Sequence, residues 1–450
     1  MPPHLPLRRT RPMALLSLGH ACVDVYQGSV AALVPFFVAE RAYTYAAASG
    51  LVLAASLLSS VVQPLFGALT DRWAMPWLLP AGTLAAGTGV ALSGVGGSYP
   101  LTVAAIAVSG IGVAAWHPEA ARVARATSRG SHTAMGWFSL GGTIGFAAAP
   151  PLVWAVLTAG GPGASPLLVA PALAGCGLCA VALRTAGSAA PPAAARAERT
   201  ADTDDWPSFA RLSGAVVCRS IAFVGLSAFV PLYAPLRTAG GEAAGSAALF
   251  VLYLGGAVGT AAGGRLAARF GRLPVMRWSY ALAVPAVAAV VWVPGPLLYL
   301  FLALTSAGLY VPFSLHVTLG QDYLPRRVGT ASGVTLGLAV SAGGLASPAI
   351  GALADATSLE VALAPLTGLP ALGWLLLRTL REPVRPDPRP STDPPAPGGR
   401  ADAPAGRRTG PAVPRAPAPP APAPPSPQRP TGRSEDRARS LDAPPEPLDY

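Results

Sequence analysis

His117, Pro118 and Glu119, with Arg122 three residues on, close a run that begins at Pro100 and carries no charge through its first seventeen residues. An ionisable group at membrane depth costs about 2.5–3.5 kcal/mol on insertion scales, so such a cluster is a functional candidate by default. A second set, His20, Asp24 and Gln27, lies in the first apolar segment, spaced i, i+4, i+7 on one helical face. Asp24 falls about 16 Å into that segment at about 1.5 Å per residue. Glu119 sits on a helix running back, in the same half of the membrane. Burial makes a carboxylate hold its proton, and an adjacent cation loosens it. A ligand competing with a proton for Asp24 or Glu119 is the minimum that coupled transport needs. Arg219, with nothing acidic in its own stretch, is a candidate cation for an anionic ligand, and His316 occupies a corresponding later stretch. Blander roles stand beside these. Glu119 and Arg122 could be an interfacial ion pair, Arg122 and Arg219 could extend towards water, and His117 could serve a carbonyl freed by Pro118.

The elements that position these residues follow from composition. Of the 450 residues, 52% are hydrophobic and 12% charged, with a mean hydropathy of +0.47. A soluble domain carries about 25% charged residues, so the reading is an all-α, multi-pass integral membrane protein. The net charge of +11 comes entirely from arginine, without lysine, and is spread over short loops. No basic patch interleaved with aromatics appears, so nucleic acid is not an expected partner. The arginines at the start precede an apolar run too long for a cleaved leader, and an uncleaved first span is expected. Cys22, Cys176, Cys179 and Cys218 all lie in apolar runs. Cys176 and Cys179 lack the second ligand pair of a zinc site, so they read as small buried hydrophobes. No metal, cofactor or catalytic residue is expected.

Twelve spans of about 20 apolar residues are predicted: 13–38, 46–69, 76–95, 100–122, 133–157, 164–184, 211–235, 244–268, 275–293, 296–320, 328–353 and 359–380. With twelve, nearly all loop arginines fall on one side and only Arg41 and Arg237 on the other. That bias marks the cytoplasmic face and places both termini there, in a cell membrane. Residues 1–184 and 211–382 form two six-helix halves, joined by a cytoplasmic linker at 185–210. The tail from Pro383 holds 21 of the 50 prolines in 68 residues and is expected to be disordered. Gly141 and Gly145 in the fifth span, and Gly343 and Gly344 in the eleventh, read as close helix packing.

The halves repeat. Gly67-x-Leu-x-Asp71-Arg72 follows the second span, and Gly264-x-Leu266, Arg269, Gly271 and Arg272 follow the eighth, 197 residues on. Pro151 and Pro348 have the same offset, and His117 and His316 are 199 apart. Parallel six-helix halves are the pattern of transporters whose site lies between repeats. The G-x-L-x-D-R loop resembles the signature of the major facilitator superfamily, which implies two pseudo-symmetric six-helix bundles and a latch at Gly67, Asp71, Arg72, Gly264, Arg269, Gly271 and Arg272. Ala268 stands where the second copy would carry Asp, and Ala74 to Pro76 replace the residues that usually complete the first. The His20/Asp24/Gln27 and His117/Glu119/Arg122 sets, with Gln321-x-Tyr323-Leu-Pro325 and Gly329-x-Ala-Ser-Gly333, resemble fosmidomycin-resistance-type drug exporters over about residues 13–380. The expected activity is proton-coupled export of a small drug-like or anionic compound by a monomer, with protons, the substrate and the bilayer as partners. A facilitator or importer of a sugar or organic acid remains an alternative, and a polytopic membrane enzyme a lesser one. Against the enzyme, the chain has no H-E-x-x-H, nucleophile elbow or phosphate-binding glycine loop.

Overall fold

A computed structural model describes residues 7–128, 132–186 and 203–383. The expected tail, most of the expected linker and the side chain of Asp71 lie outside the described residues. The described residues are helical, with no strand. Among the described residues, eleven helices are long and apolar enough to cross a membrane, and a shorter apolar helix, Leu78–Ser93, joins them. Lipid offers no partner for backbone polar groups, so a chain this apolar must satisfy them inside helices.

The first six helices are α1 (Leu7–Arg41), α2 (Tyr45–Arg72), α3 (Leu78–Ser93), α4 (Tyr99–Ser128), α5 (His132–Gly160) and α6 (Ala170–Ala186), the last entered through a 3-10 turn. Next come α7 (Trp206–Arg237), α8 (Gly241–Phe270), α9 (Arg272–Trp292), α10 (Leu297–Tyr310), α11 (Phe313–Tyr323) and α12 (Val328–Ala356), then α13 (Leu359–Leu363) and α14 (Gly368–Arg378). α10 and α11 make up a single span broken at Val311 and Pro312, where proline removes a backbone donor. The predicted spans coincide with these helices, but α4 runs straight through Pro118 to Ser128 instead of stopping near 122.

α1 packs against α5, α6 and α4, and α3 packs against α4 and α6. α7 packs against α12, α8 and α14 in the same manner. Small residues set these approaches. A Cβ on Gly145 would collide with the backbone carbonyl of Ala21, and one on Gly343 with that of Ser220, so the packing reading of these glycines holds. α2 meets α12, and α5 meets α8. The α2–α12 seam is tightest away from the arginine-rich loops. There the Asp355 carboxylate accepts hydrogen bonds from the Tyr45 and Ala46 amides at 2.7 and 2.9 Å, supplying an acceptor for free donors at the start of α2. A Cβ on Gly351 would lie 2.6 Å from the Tyr45 carbonyl, and one on Gly344 the same distance from Ser56 Cβ. Towards the arginine-rich end, Gly67, Gly333 and Gly337 would meet nothing within 4 Å. The seam is zipped at one end and loose at the other.

Candidate central cavity and its charged clusters

Between the facing helices lies a cleft with a cavity of about 100 Å³, lined by Gln27 and Tyr26 of α1, Ser56 of α2, Phe146 of α5, Tyr253 of α8 and Tyr310 of α10, among others. It is bounded by both sets of helices. Gln27 was a candidate from the sequence, whereas the aromatic wall was not. Phe146 and Tyr253 meet across the cleft with ring centroids 4.2 Å apart, and Phe223 of α7 stands edge-on to Tyr310 at 4.5 Å. Only their positions on facing helices reveal the wall, because single aromatics in apolar runs look alike in sequence.

Asp24 lies on α1 between two imidazoles. Its carboxylate oxygens are 3.3 Å from His20 Nε2 and 3.2 Å from His117 Nε2. Each ring is held from behind. His20 Nδ1–H donates to the Phe138 carbonyl at 2.9 Å, and His117 Nδ1–H donates to the Val113 carbonyl at 2.8 Å. A carbonyl can only accept, so each Nδ1 carries the hydrogen and each Nε2 faces Asp24. His20 also stacks on Phe138 at 4.4 Å and lies 4.9 Å from the Trp116 ring. Asp24 is only 9% exposed, and its Oδ1 has no hydrogen-bond partner among the described residues. Bound in this way, His117 does not serve the carbonyl that Pro118 frees. That carbonyl belongs to Ala114, four residues before the proline, and the imidazole bonds to the one before it.

Glu119 belongs to a different cluster. Residues two apart on a helix do not share a face, so Glu119 turns away from His117 and is fully buried. Arg122 grips it through two parallel bonds, Nε to Oε2 at 2.8 Å and Nη2 to Oε1. The structure thus parts two neighbours that the sequence presents as one cluster. It joins His117 to His20 and Asp24 instead.

Arg219 sits on α7 at 2% exposure. Its guanidinium lies 5.0 Å from the centroids of both the Tyr310 and Phe313 rings. The polar contact it makes is a long one, 3.4 Å from Nη1 to the Leu309 carbonyl, and Nε has no partner among the described residues. Among the described residues no carboxylate pairs with it. His316 on α11 is also buried, with Nε2 3.2 Å from the Tyr280 hydroxyl. That hydroxyl donates its single hydrogen to the Ala215 carbonyl at 2.8 Å, so His316 must supply the hydrogen of the shared bond.

At the arginine-rich end, Arg72 is exposed, 5.1 Å from the Trp73 ring, and Gly67 has open space beside it. The second copy is better defined. Gly264 has open space, Arg269 lies 5.1 Å from the Phe270 ring, and Gly271 takes a positive φ of 84° between α8 and α9. Arg272 pairs with Asp322 at 2.6 Å and with Glu382 at 2.8 Å. Asp322 is thus engaged in an ion pair. Arg277 reinforces the join by donating to the Leu377 and Leu380 carbonyls at 3.1 and 2.8 Å. Cys176 and Cys179 are free thiols, as are Cys22 and Cys218.

Comparison with known proteins agrees with this architecture. Residues 16–348 match the Major Facilitator Superfamily. The chain is 27% identical over 377 residues to the fosmidomycin resistance protein of Escherichia coli (strain K12), covering 81% of this chain and 91% of that protein. It is 31% identical over 375 residues, with the same coverage, to YfnC, an uncharacterised transporter of this type from Bacillus subtilis (strain 168). Among solved structures it resembles a bacterial homologue of the human lysosomal transporter Spinster, with a TM-score of 0.69 at 16% identity over 84% of this chain and 98% of that one. It also resembles the nucleoside transporter NupG, with a TM-score of 0.66 at 13% identity over 82% and 99%. The helices, the cleft between them and these matches together make the chain a multi-pass membrane transporter, not an enzyme, and a member of the Major Facilitator Superfamily.

Proposed function

We propose that the protein is a proton-coupled exporter of small organic anions, working by alternating access between two six-helix halves, residues 1–184 and 211–382. Arg219 carries this reading. It is a permanent cation at mid-span, buried and, among the described residues, without a carboxylate. An unpaired charge in such a place is costly, and its cost is recovered when an anion arrives. Tyr310 touches both Arg219 and the cleft, which gives a bound anion a route to the guanidinium. The proton site is Asp24, between His20 and His117, while Glu119 is anchored by Arg122. His316 supports the Arg219 region from α11, and the loops containing Asp71, Arg72, Arg269 and Arg272 latch the arginine-rich end. That end is cytoplasmic, with both termini, so the loosened seam leaves the cavity open to the cell interior, where an exporter loads. Export rather than uptake is supported by the name of the Escherichia coli relative.

Fosmidomycin is the probe that this relative suggests. A susceptible host expressing the chain should tolerate more of it, and Arg219→Gln should remove most of the gain. A lost charge-assisted contact of about 1.5–3 kcal/mol corresponds to roughly 10–100-fold in transport. Equal protection by wild type and Arg219→Gln, at equal membrane abundance, would refute the role of Arg219.

A further inference from the structure

We propose that His20, Asp24 and His117 form a binding site for one divalent transition-metal ion of the zinc class. The inference shares these residues with the coupling reading above but rests on their geometry, not on their protonation. Both imidazoles donate Nδ1–H to backbone carbonyls, the outer contact that fixes the tautomer and aim of metal-binding histidines. Both Nε2 atoms then converge on a carboxylate, and in the neutral rings these are lone pairs that a cation between them would join. Asp24 Oδ1, buried and without a hydrogen bond, is the unserved member.

The spacing fits. Zinc–ligand bonds of about 2.0–2.1 Å at tetrahedral angles separate adjacent ligand atoms by about 3.3–3.4 Å. The nitrogen–oxygen separations here are 3.3 Å from His20 to Oδ2 and 3.2 Å from His117 to Oδ1, and one ligand atom from each of the three residues lies within 4.8 Å of the others, a set that would tighten around an ion. Three protein ligands leave a fourth position for water or an anion. His117, at 23% side-chain exposure, is the most accessible member. Gly142 on α5 supplies the room. A Cβ there would lie 2.6 Å from both Asp24 Oδ2 and His20 Nε2, so any other residue would press on the ligands.

The test is calorimetric titration of the metal-stripped full chain in detergent with Zn²⁺, followed by Co²⁺ spectroscopy. We expect about one ion per chain, cobalt bands without thiolate charge transfer, and at least a tenfold loss of affinity in His20→Ala and in His117→Gln. The second replacement is the milder and guards against misfolding. The rival ligands are thiols, because Cys22, Cys176 and Cys179 are close together where α1 meets α6. Binding should survive Cys22→Ser/Cys176→Ser/Cys179→Ser. No saturable binding, binding equal in both histidine variants, or binding lost with the thiols would overturn the proposal. The titration reads metal alone, so its failure is separable from a failure of proton coupling.

Discussion

The two acidic residues at membrane depth are built for different work. Asp24 lies between imidazoles that approach it at 3.2–3.3 Å without forming a hydrogen bond to Oδ1, a loose arrangement that an incoming cation can complete. Glu119 is closed on both oxygens by Arg122. A carboxylate so gripped is a good anchor, and breaking the pair strands the other charge. Sealed pairs lose about 3–5 kcal/mol when one partner goes. Arg122 is 25% exposed and can turn to water, so Glu119→Gln should cost about 1–2 kcal/mol in thermal unfolding in detergent. The double variant Glu119→Gln/Arg122→Gln should recover most of that. Additive losses would show that the two side chains act separately.

At the scale of the helix, small residues and caps decide what can move. Gly145 lets α5 lie directly on the backbone of α1 at Ala21. Gly145→Ala should destabilise the protein by about 1–3 kcal/mol, the range for forcing extra volume into a packed core, and lower the yield of monodisperse protein. Full stability would mean that α1 and α5 separate freely. Asp355 caps α2 from α12, so Asp355→Ala should loosen the closed end of the seam at a cost of about 1 kcal/mol. Paired cysteines at Ser49 and Gly351, which face each other there, should cross-link less readily in that background. Unchanged cross-linking would exclude Asp355 as a clamp.

These elements also show what a reader of the sequence can reach. The spans are legible because lipid forces long apolar helices, and the glycines of α5 and α12 announce close packing. Rotation about a helix axis is not legible. His117 and Glu119 are two residues apart and serve opposite faces, while His117 and Asp24, 93 positions apart in the chain, share one. The Asp355 cap and the Arg272–Asp322 pair escape notice for the same reason, since each joins helices whose register only packing sets.

Across the whole molecule, Tyr310, which carries Arg219 against its ring, and Gln27, one helical turn from Asp24, line one cleft from opposite sets of helices. In the proposed function these charges exchange anion for proton as the zipped end of the α2–α12 seam and the loose end trade places. Substrate movement and proton movement must then be linked through Asp24. The most direct measurement is proton flux driven by a gradient of the probe compound in proteoliposomes, with wild type beside Asp24→Asn. Flux is expected in wild type and its loss in Asp24→Asn, with compound binding retained. Transport by wild type without proton movement, or equal flux in the variant, would contradict this coupling.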